Sequence, residues 1–95
     1  MPSNKTTGFA ILGAGMIADY YRQAIAANAE KGARLVAIGH YNPARFDEIG
    51  QRFGVSCQSI ADVLADPAVD AVCIATPSGE HAAQAIAAAN AGKHV

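Results

Sequence analysis

Phe9-Ala10-Ile11-Leu12-Gly13-Ala14-Gly15-Met16-Ile17-Ala18 places an apolar run, two glycines one residue apart and the start of a helical pattern in immediate succession. Few folds accommodate that order. Gly13 lets the chain turn sharply off a strand, Gly15 lets main-chain N–H groups approach a ligand, and Ala18 is small enough for the helix to pack closely on the strand. The helix beyond the turn supplies unpaired N–H groups and the positive end of its dipole, which together stabilise an anion without a basic side chain. No Lys or Arg occurs between Phe9 and Tyr21. The corner suits a diphosphate, and its G-x-G-x-x-A spacing suits that of a dinucleotide.

The surroundings of the turn agree with it. Ile17, Tyr21, Ala24, Ile25 and Asn28 recur at helical spacing, Gly32 stops that helix, and Leu35-Val36-Ala37-Ile38 reads as a second buried strand. This is a βαβ unit of about 30 residues, the size the fingerprint requires. Asn42 then caps a helix with Pro43 at its first position, running to about Phe53 before Gly54 ends it. Val55-Ser56-Cys57 is a short third strand, and Ser59 with Asp62 forms a capping arrangement for a helix of about two turns that Asp66-Pro67 breaks. Ala71-Val72-Cys73-Ile74-Ala75 is apolar on both faces, as a parallel strand covered by helices is. Thr76-Pro77-Ser78 leads into an alanine-rich helix, with Ser78 as its expected cap, Gly92 as its stop, and Ala82, Ala85, Ile86 and Ala89 expected against the sheet. The fold class is α/β: a doubly wound parallel sheet, Rossmann-like and incomplete, of about four strands in the order 3-2-1-4 with helices on both faces.

A polar lead, Met1 to Thr7, precedes a partial nucleotide-binding domain from Gly8 to Val95. At 95 residues and 52% hydrophobic content the chain can bury a core, though a smaller share of its surface than a chain of ~150 residues does. Its net charge of -1, with Lys and Arg scattered, makes nucleic acid and anionic membrane poor partners. Cys57 and Cys73 lack metal-ligand spacing, so no metal is expected; Cys73 reads as inert core, and a reduced, cytoplasmic home follows. No apolar run approaches the ~20 residues of a membrane span, and no export signal is expected.

Four segments in this order carry a family resemblance: Gly13 to Ala18; Leu35 to Ile38 leading to Asn42-Pro43-Ala44-Arg45; Ala75-Thr76-Pro77 followed by His81; and Ala91-Gly92-Lys93-His94-Val95. From Gly8 onward the chain resembles the N-terminal half of the glucose-fructose oxidoreductase, inositol dehydrogenase and MocA family. The resemblance implies a nicotinamide-dependent oxidoreductase transferring hydride to or from a sugar, polyol or related hydroxy compound. It places Ala75, Thr76 and Pro77 along the bound cofactor and His81 near it. Most members have Asn where this chain has Ser78. It further implies that a Glu-Lys-Pro motif, whose lysine assists catalysis, and a mostly β substrate domain lie outside these residues. No catalytic residue is therefore assigned within them.

The expected cofactor-binding set is Gly13, Gly15, Met16, Ile17, His40, Tyr41, Arg45, Ala75, Thr76, Pro77 and His81. A carboxylate ending the second strand would bond the adenosine ribose hydroxyls and repel a 2′-phosphate, favouring NAD. Here that position holds His40, about 20 residues beyond the turn, with Arg45 in the next helix placed to reach a phosphate. The choice tilts to NADP, with NAD the alternative. Two other functions fit the chain: a dinucleotide-binding module without turnover, and a self-associating fragment. In the second, the uncovered edge of the fourth strand would pair with another chain, giving a homo-oligomer.

Overall fold

The computed structural model describes residues 6–95. Met1 to Lys5, most of the expected polar lead, lie outside the described residues. The first strand, β1, is Thr7–Leu12, and it is followed by α1 (Met16–Ala27), β2 (Ala33–Gly39), α2 (Phe46–Phe53), β3 (Ser56–Gln58), α3 (Ile60–Ala65), β4 (Ala71–Ile74) and α4 (His81–Asn90). All pairings are parallel and the strand order is β3-β2-β1-β4, as the alternation of strands and helices requires.

Side chains alternate across a strand, and β1 shows it directly: Ala10 and Leu12 join one buried cluster while Ile11 joins the other. The first cluster takes Val63 of α3, Val72 of β4 and Ala88 of α4. The second takes Ala18 and Ile25 of α1 with Ile49 and Phe53 of α2. Helices therefore cover both faces, which is why the central strands read as continuous apolar runs.

Local stops and caps follow the chain's own chemistry. Asn42 accepts from the Ala44 N–H at 3.1 Å and opens a 3-10 turn at Pro43–Arg45, so α2 proper begins at Phe46 rather than Pro43. Ser59 accepts from the Asp62 N–H at 3.1 Å, as expected. The first helix ends at Ala27, before a 3-10 turn at Ala29–Lys31, and Gly32 then reverses the chain.

The last helix departs from expectation in two ways. Ser78 makes no capping bond; Ser78–Glu80 form a 3-10 turn with Pro77 before it, and α4 starts at His81. The buried face of α4 carries Gln84 and Ala88, whereas Ile86 is 62% exposed and Ala82 and Ala89 are also exposed. An alanine-rich helix has little apolar asymmetry to orient it, so a polar contact sets its rotation: the Thr76 hydroxyl donates to Gln84 Oε1.

The outer edge of β4 is partly taken. The Val72 N–H donates to the His94 carbonyl at 2.8 Å and the His94 N–H to that of Asp70 at 3.0 Å, so the chain returns as a short parallel bridge beside Ala71. Among the described residues, no helix is long and apolar enough to cross a membrane, and no group of three or more His, Cys, Asp or Glu is placed to hold a metal ion.

Candidate functional site

The carboxyl ends of β2, β1 and β4 are held level by two bonds beyond the strands: the Gly13 N–H donates to the Gly39 carbonyl at 2.8 Å and the Ala75 N–H to that of Leu12 at 2.8 Å. Between β1 and β4 the winding of the sheet reverses, and crevices at such points are where ligands enter doubly wound sheets. A cavity of about 370 Å³ opens there. Gly13, Ala14 and Gly15 form its middle, Gly39, His40 and Tyr41 its β2 side, and Ala75, Thr76, Pro77 and Glu80 its β4 side, with Ile60 completing the wall.

The glycines perform different tasks. Gly13 sits at φ +106 with its backbone against that of Ala75, so both conformation and space exclude a side chain. Gly15 has ordinary φ, and a β-carbon there would meet nothing within 4 Å, because the space before it is open. Gly15 is also the N-cap of α1 and offers no side-chain cap, which leaves the first-turn N–H groups, including those of Met16 and Ile17, without intrahelical partners. An open cradle facing unpaired amides fits a diphosphate.

On the β2 side, His40 is 7% exposed, and its Nδ1 accepts the Asn42 N–H at 3.0 Å. In the neutral ring Nε2 therefore carries the hydrogen and is a donor. The ring stacks on Tyr41, centroids 4.6 Å apart, and Tyr41 itself is 83% exposed. On the β4 side, Thr76 is fixed twice, by its hydroxyl on Gln84 and by His81 Nε2 on its carbonyl at 2.5 Å. A carbonyl only accepts, so His81 donates from Nε2.

Of the sequence-expected residues, Gly13, Gly15, His40, Tyr41, Ala75, Thr76 and Pro77 meet at the cavity. Met16 and Ile17 turn their side chains to solvent and offer only main-chain N–H groups. His81 is exposed and off the wall, with its Nε2 on the Thr76 carbonyl. Arg45 is also off the wall, donating from Nε to Glu48 Oε1 at 2.7 Å. Glu80, the one carboxylate on the wall, was missed, as were Ala14, Gly39 and Ile60. Glu80 lies within the Ser78–Glu80 turn, whose geometry the sequence presented as a helix start.

The comparisons with known proteins agree with this fold. The model of the Gfo/Idh/MocA oxidoreductase family, NAD-binding Rossmann fold, matches residues 7–95. The chain is 37% identical over 90 residues to inositol 2-dehydrogenase of Rhizobium meliloti, covering 95% of this chain and 27% of that protein. It superposes with a TM-score of 0.86 and 37% identity on the WlbA dehydrogenase of Bordetella pertussis in complex with NADH and UDP-GlcNAcA, covering 96% of this chain and 28% of that one. It is likewise similar to scyllo-inositol dehydrogenase of Lactobacillus casei with bound NAD(H) and scyllo-inositol, at a TM-score of 0.79 and 34% identity, over 96% of this chain and 27% of that one. The chain thus spans about a quarter of the length of these relatives.

Proposed function

This chain belongs to the Gfo/Idh/MocA oxidoreductase family through its NAD-binding Rossmann fold, and from that premise we propose that it is the nucleotide-binding portion of an enzyme transferring hydride between a nicotinamide cofactor and a sugar, polyol or related hydroxy compound. The observation that carries the reading is the open space at Gly15 before the unpaired amides of α1. When bound, the nicotinamide supplies the hydride chemistry. The chain's own contribution is to fix the dinucleotide: α1 amides for the diphosphate, the His40–Tyr41 end for the adenosine, and the Ala75 to Pro77 turn with Glu80 for the opposite end. The polyol class is favoured by the inositol dehydrogenases among its relatives. The substrate-holding domain and the lysine motif lie outside these 95 residues in this reading.

Within this reading NAD(H) is the favoured form. The tilt to NADP rests on His40 standing where a carboxylate would repel a 2′-phosphate and on Arg45 reaching that phosphate; against it stand the relatives solved with NADH or NAD(H) and the engagement of Arg45 by Glu48. Two free thiols, Cys57 and Cys73, support a reducing, cytoplasmic home. Self-association through β4 belongs to the same proposal, confined to the edge beyond the His94 bridge; sedimentation at ~100 μM tests it, and a monodisperse monomer overturns it.

Titration of the protein with NADH, followed by nicotinamide fluorescence, is expected to give saturable binding. Turnover with inositols by a full-length version carrying the substrate domain then separates an oxidoreductase from a module that binds without reacting. Absence of dinucleotide binding by the folded protein overturns the reading.

A further inference from the structure

The strand end assigned to the adenosine carries no carboxylate, yet Glu48 is present in the first turn of the helix that follows. β2 finishes at Gly39, and His40 is spent structurally, buried and accepting the Asn42 N–H. Asn42 starts the 3-10 turn that brings Arg45 round, and Arg45 meets Glu48 across one turn with Nε–Oε1 at 2.7 Å. We propose that Glu48 is the residue that sets cofactor choice in this protein: it holds Arg45 away from the ribose and supplies, from α2, the negative charge that the strand end lacks. This inference rests on the dinucleotide reading above and names the group that discriminates within it.

Two physical effects act in the same direction. A 2′-phosphate would have to displace Glu48 from Arg45 before gaining that cation, and the displaced carboxylate would then stand beside a dianion. The pair stands in the turn and first helical turn that directly follow the His40–Tyr41 side of the cavity, without lining it. The Glu48 carboxyl lies below its usual range, chiefly through the hydrogen bond and charge of Arg45, with Arg52 contributing in the same sense. Arg45 is raised in turn, chiefly by the hydrogen bond and charge of Glu48. NADH has no phosphate at that position and is indifferent to the exchange. The effect is that of a surface pair, so it is sensitive to salt.

The test measures dissociation constants for NADH and NADPH by fluorescence titration of the protein, with circular dichroism to verify folding. The wild type is expected to bind NADH more tightly. Glu48→Gln is expected to lower the NADPH-to-NADH ratio of dissociation constants roughly tenfold while leaving the NADH value within about twofold. Adding Arg45→Ala to Glu48→Gln is expected to abolish that gain, because the freed guanidinium is what receives the phosphate. A wild type that prefers NADPH, or an unchanged ratio in Glu48→Gln with both cofactors still bound, overturns the assignment of Glu48 and leaves the dinucleotide reading standing. Folded wild-type protein that binds neither cofactor overturns both.

Discussion

A β-carbon placed on Gly13 would stand 2.7 Å from the carbonyl oxygen of Ala75. The two loops that frame the cavity therefore touch backbone to backbone, one from β1 and one from β4, and the glycine corner is as much a packing joint as a ligand cradle.

The contrast with Gly15 separates stability from binding. Gly13→Ala is expected to cost at least about 1–3 kcal/mol, since φ +106 is strained for any side chain and the new methyl group meets rigid backbone. Gly15→Ala meets no atom and is expected to cost less than about 1 kcal/mol, through a poorer N-cap alone. It is nonetheless expected to weaken NADH binding about tenfold or more, because the methyl group fills the approach to the amides. Urea unfolding and NADH titration of the two variants check this; equal effects on both measurements would contradict it.

Thr76, half-buried, donates from its hydroxyl to Oε1 of the buried Gln84. Thr76→Val or Gln84→Leu alone leaves one partner without a hydrogen bond, at an expected cost of about 1–3 kcal/mol. The double variant removes both polar groups and is expected to lose less than the sum of the two. A double-mutant cycle in urea measures the coupling, and strict additivity would show that the pair does not orient α4.

Acid sensitivity should trace in part to Asp19. Its carboxyl is lowered from 3.8, first by the hydrogen bond from Arg52, opposed by desolvation, and further by the charges of Arg52 and Arg22. A folded-state value below the unfolded one means that the contribution is fully present above the unfolded value and is lost as pH falls through the folded one. Asp19→Asn is therefore expected to lower the Tm near neutrality slightly and to flatten its decline between roughly pH 5 and pH 3. Thermal melts across that range, compared with wild type, provide the measurement.

The two thiols are expected to be sluggish nucleophiles in the folded protein. Burial pushes Cys57 and Cys73 above 9.0, with Arg45 opposing the rise at Cys57 only. Iodoacetamide at about pH 8 should alkylate Cys73 more slowly than Cys57, and both should react faster once urea unfolds the chain. Mass spectrometry of timed, quenched samples reads each site; a Cys73 faster than Cys57 would contradict this order.

What the sequence determined by itself was what chain neighbours can impose. Glycines that free the backbone, Asn42 and Ser59 that cap from their own side chains, and apolar runs of strand length act over a few residues, so the corner, the element order and the strand order were legible. Tertiary structure decided whatever needed a distant or competing partner. Asp19 reaches past Arg22 to Arg52, bridging α1 and α2 at 2.6 Å, although the local spacing offered only Arg22 at 3.5 Å. The face that α4 turns inward follows Gln84 because Thr76, eight residues earlier, gives it a hydrogen bond, whereas alanine and isoleucine spacing pointed elsewhere. Arg45 turns to Glu48 rather than toward the cavity, since an exposed guanidinium takes the nearest suitable carboxylate that the helix presents. Periodicity records which elements form; only assembled geometry fixes which of several comparable polar pairings each side chain adopts, because their energies differ by little until position separates them.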